Sequence, residues 1–418
     1  MLYERWLSVA RAHRNEVALR EVSSGAHWTF GELQDKADSP ARTSQRFSYP
    51  QGLSSEFILA VLRGWRSNQA ICPLEPGQAP TVPGGLPPMI AHVKTTSATT
   101  GEPRWVALTA EQVAADAANI VATMGLRPDW PNLGAISLAH SYGFSNLVTP
   151  LLLHGIPLIL VDSPFPERVL AAAALVSQVT LPAVPALWRA WHEAGAIPPQ
   201  VRLAISAGAP LPLALEENVF QSTGVKLHNF YGATECGGIA YDRSDRPRTD
   251  SACAGAPLEQ VDLAVTEEGC LEVRGAAVAE TYWPESDVSL GAGCYVTSDM
   301  AELRKGLVYL RGRTGDQINM AGRKVSPESI EQTLQKHPAV RECLVFGAPS
   351  ADVGRGEMIV ACVAVQTQVT SEELKAFLLA HLPAWQVPRD WWFVDSLGTN
   401  QRGKVSRAVW RRQYLERV

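Results

Sequence analysis

An α/β fold with a small β part and a separate α+β end is what this sequence predicts, on three observations. Between Gly134 and Ile205 strand-like and helical stretches alternate: 134–138, 147–153, 157–161, 167–177, 179–181, 186–194 and 203–205. That alternation is the pattern of helices layered on a mostly parallel sheet. From Val261 to Gly312 it gives way to short strands with turns, such as Gly269–Gly275 and Leu307–Arg311, which read as a small β subdomain. Beyond Gly315 helices at 327–336 and 371–382 mix with strands at 343–346, 359–365 and 391–394. Gly312-Arg313-Thr314-Gly315 joins the differently patterned halves, so the division falls at 1–314 and 315–418.

Taken in order, residues 3–20 read as an amphipathic helix leading into a strand at Val17–Arg20. Thr29 is a plausible N-cap for a helix opening at Phe30. The polar, breaker-rich stretch 39–52 reads as loop, 57–65 as helix and 70–74 as a short strand. Five prolines and three glycines make 76–88 a connector. A strand at 88–93 precedes a threonine-rich loop, and an Ala-rich helix covers 109–124. No internal repeat is present.

At 418 residues the chain is long enough for two or three domains. It is 46% hydrophobic and 19% charged, the composition of a soluble globular protein. A net charge of −5 argues against nucleic acid or an anionic membrane as the main partner. The seven cysteines form no C-x-x-C pair, so neither a disulfide framework nor a zinc site is expected, and a cytoplasmic location is. The start, Met1-Leu2-Tyr3-Glu4-Arg5-Trp6, lacks the pattern of a signal peptide. The most apolar window, 147–161, is broken by Pro150, His154, Gly155 and Pro157, so it reads as buried core and not as a membrane span.

Two stretches carry chemistry. Thr95-Thr96-Ser97-Ala98-Thr99-Thr100-Gly101-Glu102-Pro103-Arg104 offers hydroxyls, backbone N–H groups and a cation with little bulk, which suits a polyphosphate. Tyr231-Gly232-Ala233-Thr234-Glu235 supplies a ring that can stack on a purine, a hydroxyl for a phosphate and a carboxylate for Mg²⁺. Each alone also reads as an ordinary turn.

Their order along the chain resolves this. Thr96–Arg104 resembles the phosphate loop of the adenylate-forming superfamily of acyl- and aryl-CoA synthetases, luciferases and peptide-synthetase adenylation domains. Residues 70–76, 137–144, 206–210, 231–235, 269–283, 297–301, 311–331 and 400–407 resemble the later motifs in the family's order, from about Trp28 to Arg407. The resemblance implies a large N-terminal AMP-binding domain, shortened at its start, and a small mobile C-terminal domain. It assigns Thr96, Ser97, Thr99, Thr100, Gly101 and Arg104 to the ATP phosphates. Gly208, Ala209 and Pro210, with Asn229, Phe230, Tyr231 and Gly232, would enclose adenine. Thr234 would contact the α-phosphate, Glu235 would bind Mg²⁺, and Asp299 with Arg313 would hold the ribose. Lys404, in Asn400–Arg407, would be the catalytic lysine that brings two anions together. His140 would gate the acyl and thiol tunnels. Gly322, Arg323 and Lys324 are candidate contacts for CoA, and Gly315 takes the hinge position.

Residues 398–404 also fit G-x-x-x-x-G-K, but Val405 stands where Ser or Thr would bind Mg²⁺, and too little chain follows for such a domain. No aspartate lies between Gly134 and Pro150 to pair with an α-ammonium, so an amino acid is disfavoured as substrate. Ser141, Tyr142, Phe144, Val184, Pro185 and Ala207 are the expected pocket, and their largely apolar character suits a fatty or aromatic acid. The expected activity is ATP-dependent formation of an acyl-adenylate and then of a thioester with CoA. The alternatives are loading of an acyl carrier protein through its phosphopantetheine thiol, and a catalytically silent nucleotide-binding protein. The sequence departs from the family at Ala98 (usually Gly), Arg104 (usually Lys) and Gly315 (usually Asp or Lys), and in the short spacing from Trp28 to Thr96.

Overall fold

A computed structural model describes residues 1–39, 42–96, 104–320, 323–350, 357–398 and 405–417. Within these, the alternating segment builds a parallel sheet, as expected. Val17–Glu21, Leu158–Leu160, Asn132–Gly134, Val179–Ala183, Val201–Ser206 and Leu227–Ala233 lie side by side in that order, each parallel to its neighbour. Helices Ala110–Met124, Thr149–His154, Pro166–Ala173, Pro185–Glu193 and Leu213–Thr223 fall between strands in the sequence. Trp6, Phe30 and Phe57 are fully buried in one core cluster, and Trp188 and Trp191 in a second. Thr29 and Thr109 each cap a helix by a reciprocal capping box, with Glu32 and Gln112 reaching back.

The β region is joined to this sheet more closely than its sequence pattern suggests. Gly237–Tyr241 pairs antiparallel with Leu227–Ala233, and Cys253–Pro257 continues outward to Leu307–Arg313 and Cys294–Arg304. One hydrogen-bonded path of strands therefore runs from Ala26–Thr29 to Asp262–Val265.

A second sheet has the order Thr281–Trp283, Trp105–Thr109, Ile90–Thr95, Ala70–Ile71, Phe47–Ser48. Its central hairpin is the stem of the threonine-rich loop, with Thr95 opposite Trp105. The stem is closed by Thr96 N–H to Arg104 O at 2.9 Å and Arg104 N–H to Thr96 Oγ1 at 3.0 Å.

Three sequence readings need adjustment. The strand expected at 134–138 is Asn132–Gly134, and 135–140 leaves the sheet as irregular chain. The stretch read as loop at 39–52 contains the short strand Phe47–Ser48, held parallel to Ala70–Ile71. The helix near 147–153 begins as a π-turn over Phe144–Val148. The basic end forms helix Arg407–Arg417, whose Tyr414 ring is buried against Phe346.

Beyond residue 316 the sheets are separate: Ile318–Met320 with Arg323–Val325, and Val340–Pro349 with Glu357–Val365 and Asp390–Phe393. Helices Pro327–Leu334 and Ser371–Leu379 bury Ile330, Leu334, Leu374 and Leu378 in one core with Val345, Ile359 and Val363. Among the described residues, no helix is long and apolar enough to cross a membrane.

Candidate active site

The parallel strands end on one line of loops, and that is where the predicted residues meet. Strand Leu227–Ala233 delivers Tyr231, whose hydroxyl donates to Asp299 Oδ2 at 2.5 Å. Asp299 comes from strand Cys294–Arg304, and its Oδ1 accepts from Arg313 Nε at 2.7 Å on the adjacent strand. Burial and the neighbouring Asp299 carboxylate push the Tyr231 phenol well above its ordinary range, so it stays a donor. The same carboxylate raises the Arg313 guanidinium. Asp299 thus holds a fixed orientation and, with about four acceptor positions on two oxygens, keeps capacity for ligand hydroxyls.

After Tyr231 the chain turns tightly. A Cβ on Gly232 would lie 2.6 Å from the Gly237 carbonyl oxygen, so only glycine lets the two arms come this close. The turn presents Thr234 and Glu235. Thr234 Oγ1 lies 3.3 Å from Ser141 Oγ, which brings the loop after Asn132–Gly134 to the same point. Glu235 is 9% exposed, and its Oε1 accepts from Tyr282 Oη at 3.0 Å. Burial raises its carboxyl, with Asp299 adding to the rise while the Tyr282 hydrogen bond opposes it. Among the described residues no cluster of three or more His, Cys, Asp or Glu could cage a metal. A single hard carboxylate beside a phosphate site is nonetheless the arrangement Mg²⁺ takes when phosphates and water complete its shell, so Glu235 fits that ion.

Behind the turn runs a buried polar chain that sequence reasoning missed. Lys94, on the strand entering the threonine-rich loop, donates to Ser145 Oγ at 3.4 Å. Ser145 donates to Asp116 Oδ2 at 2.6 Å, and Asp116 Oδ1 accepts from Gly238 N–H at 3.0 Å. All three side chains are under a tenth exposed. The one signal for it was a lysine directly after the apolar run 88–93. Tyr282 and Glu75 were missed as well, since each needs a partner distant in sequence.

Where adenine is expected, Gly208 has φ +85°, and a Cβ there would lie 3.4 Å from Val184 Cγ1. Ala209 and Pro210 follow in the loop leaving Val201–Ser206. Asn229 donates to Ala254 O at 3.2 Å, and Phe230 is buried beneath Tyr142, with ring centroids 6.1 Å apart. Tyr142 donates to Ile205 O at 3.2 Å, Ala207 N–H bonds Ala183 O, and Pro185 begins the helix after Val184. Tyr142, Val184 and Ala207 are therefore neighbours, with Ser141 and Pro185 next to them in the chain. Phe144 is not among them: it is 1% exposed, and its ring sits 4.3 Å from His92 and 6.5 Å from Phe57, in the core. The π-turn that starts at Phe144 carries it there.

His140 lies at the start of the short helix Ser141–Gly143, with Nε2 3.2 Å from Glu75 Oε1; Ser137 Oγ donates to the same oxygen. Arg104 is stacked on Tyr282 and paired with Asp287. Gly315 is central in a 3₁₀ turn, Thr314–Asp316. Arg323 lies over Trp385 at 5.5 Å, and Lys324 is exposed. Ser97, Thr99, Thr100, Gly101, Gly322 and Lys404 lie outside the described residues.

Comparison with known proteins adds the family. The family model described as AMP-binding enzyme matches residues 59–283, and that of the AMP-binding enzyme C-terminal domain matches 329–404. A 2-succinylbenzoate–CoA ligase of Bacillus cereus is 30% identical over 331 residues, covering 75% of this chain and 68% of that protein. A feruloyl-CoA synthase of an Amycolatopsis species is 27% identical over 360 residues, 81% of this chain and 72% of that protein. Among solved structures, ATP-bound MatB from Rhodopseudomonas palustris superposes with a TM-score of 0.86 at 21% identity, covering 99% of each chain.

Proposed function

This chain belongs to the AMP-binding enzymes, and from that premise we propose that it is an acid–thiol ligase acting on a fatty or aromatic carboxylic acid. Its substrates are the acid, ATP and the thiol of CoA. The observation that carries the reading is the convergence of Tyr231, Asp299 and Arg313 on one side and Thr234 and Glu235 on the other, beside the stem of the threonine-rich loop. The first group suits a ribose and a purine, the second an α-phosphate with its metal. The named relatives, a succinylbenzoate ligase and a feruloyl ligase, support an aromatic acid in particular.

In the first step an oxygen of the carboxylate attacks the α-phosphorus, the bond to the β-phosphate oxygen breaks, and pyrophosphate leaves. The charge of Lys404 offsets the repulsion between the two anions, while Thr234 donates to the α-phosphate. Glu235 would hold Mg²⁺, which would supply charge neutralisation on the phosphates. In the second step the thiolate attacks the acyl carbon of the adenylate, and AMP leaves. Residues 315–418 act as a mobile domain that turns about Gly315 between the steps. His140, paired with Glu75, gates the thiol tunnel, and Gly322, Arg323 and Lys324 are the contacts for CoA. A phosphopantetheine thiol on a carrier protein is the other acceptor. The seven cysteines, all free, are consistent with the cytoplasm.

Acid-dependent ATP–pyrophosphate exchange over a panel of fatty and aromatic acids, followed by thioester formation with CoA or a carrier protein, tests both steps. Lys404→Ala should lower exchange by roughly 10²–10³-fold, the effect of removing a preorganised charge. Exchange that is unchanged in that variant refutes the assignment. Binding of ATP without turnover of any acid would instead favour a silent nucleotide-binding protein.

A further inference from the structure

We propose that Arg104 is a positioning residue for Glu235 that acts through Tyr282, so that the cation ending the threonine-rich loop orients the Mg²⁺-binding carboxylate instead of reaching a phosphate itself. The proposal rests on the role given to Glu235 above.

The geometry forms a continuous chain. The Arg104 guanidinium carbon lies 3.6 Å from the centroid of the Tyr282 ring, and Nη2 is 3.1 Å from Asp287 Oδ2. Asp287 is itself oriented, because Oδ1 accepts from Ser289 N–H at 2.9 Å and from Ser289 Oγ at 2.7 Å. On the other side of the ring system, Tyr282 Oη donates to Glu235 Oε1 at 3.0 Å. The backbones are locked in the same register. Trp283 pairs with Trp105, the residue after Arg104, and Ala279 N–H donates to the Glu235 carbonyl at 2.8 Å.

Two physical effects follow. A cation on the π face withdraws electron density from the ring, which strengthens the phenol as a donor to the carboxylate. A planar guanidinium can stack and still fork to Asp287, whereas an ammonium is a point charge without a stacking face. Arginine at 104 is the residue type this arrangement requires. The stem of the loop and the metal-binding turn are then coupled: whatever fixes residue 104 also fixes Glu235.

The test is a double-mutant cycle on the purified full chain with Arg104→Ala, Tyr282→Phe and the pair. Binding of Mn²⁺ in the presence of ATP is followed by electron paramagnetic resonance, and ATP binding by calorimetry with and without EDTA. Each single variant should weaken Mn²⁺ binding about tenfold, the usual loss for one hydrogen bond to a charged group. The double variant should be no weaker than Tyr282→Phe, Arg104→Lys should not restore binding, and metal-free ATP affinity should hold within twofold. Effects that multiply in the double variant overturn the proposal, as do full rescue by lysine or equal loss of ATP affinity in EDTA. Arg104→Gln repeats the cycle if the alanine variant has a lowered melting temperature. Absence of exchange with every acid would refute the ligase reading, while the metal-binding cycle would still decide the role of Arg104.

Discussion

Replacing Arg407 with alanine should loosen the whole end of the chain. Its guanidinium is bonded to Asp316 at 2.6 Å, Glu328 at 3.0 Å and Glu331 at 2.8 Å, and its Nε donates to Val345 O at 2.8 Å. The arginine side chain is 18% exposed and Glu331 14%, so this is a mostly buried cluster. Removing one partner of a buried pair costs about 3–5 kcal/mol; residual solvent at all four groups favours the lower end, about 3 kcal/mol. That corresponds to roughly 10²-fold faster amide exchange if opening is local. Hydrogen exchange read by mass spectrometry on peptides covering 327–349 and 407–417 would measure it. A dependence on pH should accompany the loss. Burial raises the Glu331 carboxyl, and Arg407 opposes the rise. Without Arg407 the folded value climbs further above the unfolded one, so ionisation costs stability, and that cost vanishes as pH falls through the folded value. The deficit should therefore be larger at pH 8 than at pH 5. Unchanged protection, or an equal deficit at both pH values, would refute the reasoning.

Gly237→Ala should abolish metal-dependent ATP binding, since φ is +70° and the new Cβ would overlap the Asp116 carboxylate. Gly125→Ala, at φ +64° with open space around it, should cost only about 1 kcal/mol in thermal unfolding, giving a control for backbone strain alone. Lys226→Met should shift acid unfolding to higher pH. Burial pushes the Asp242 carboxyl up, but Lys226 at 2.7 Å and Ser244 more than offset this and hold it low. Its contribution is present above about pH 3.9, is lost as pH falls through the lower folded value, and disappears in the variant. Intrinsic fluorescence over a pH series would read the midpoint. Ellman's reagent at pH 8 should modify at most Cys253 and Cys294 in the native chain, because Cys72, Cys236, Cys270, Cys343 and Cys362 are buried. Burial pushes the Cys72 thiol up to about 12.

What the sequence made legible was local. Thr29 announces its helix because a cap and its reciprocal partner sit three residues apart, and the structure adds the same device at Thr109. The alternation from 134 to 205 gives the layered sheet because each period is complete within a dozen residues. The turn Tyr231–Glu235 is contiguous as well, and the structure sets its Tyr231 against Asp299 and its Glu235 against Tyr282. What stayed hidden is held by long-range pairing. Tyr282 meets Glu235 across 47 positions and Ser145 meets Asp116 across 29. Phe144 was misassigned for the same reason. Its apolar, aromatic character suits a pocket wall as well as a core, and only packing against His92 and Phe57 decides between them.

Several hydrogen bonds fix the proline-rich connector, among them Gln51 Nε2 to Gln78 O at 3.2 Å and Arg46 Nη2 to Pro87 O at 2.8 Å, and two further ties bracket its most exposed arc. Glu75 at its start holds Ser137 and His140, and Pro83 O accepts from the Trp283 indole at 3.3 Å. Between them, residues 76–81 are all exposed. Because closure entropy rises only slowly with length, about 0.6 kcal/mol per doubling, this arc is a port for insertion. A peptide tag or a fluorescent domain grafted between Gln78 and Thr81 would leave both anchors bonded. It would sit between the ties to His140 and to Trp283, and so report on movement of either.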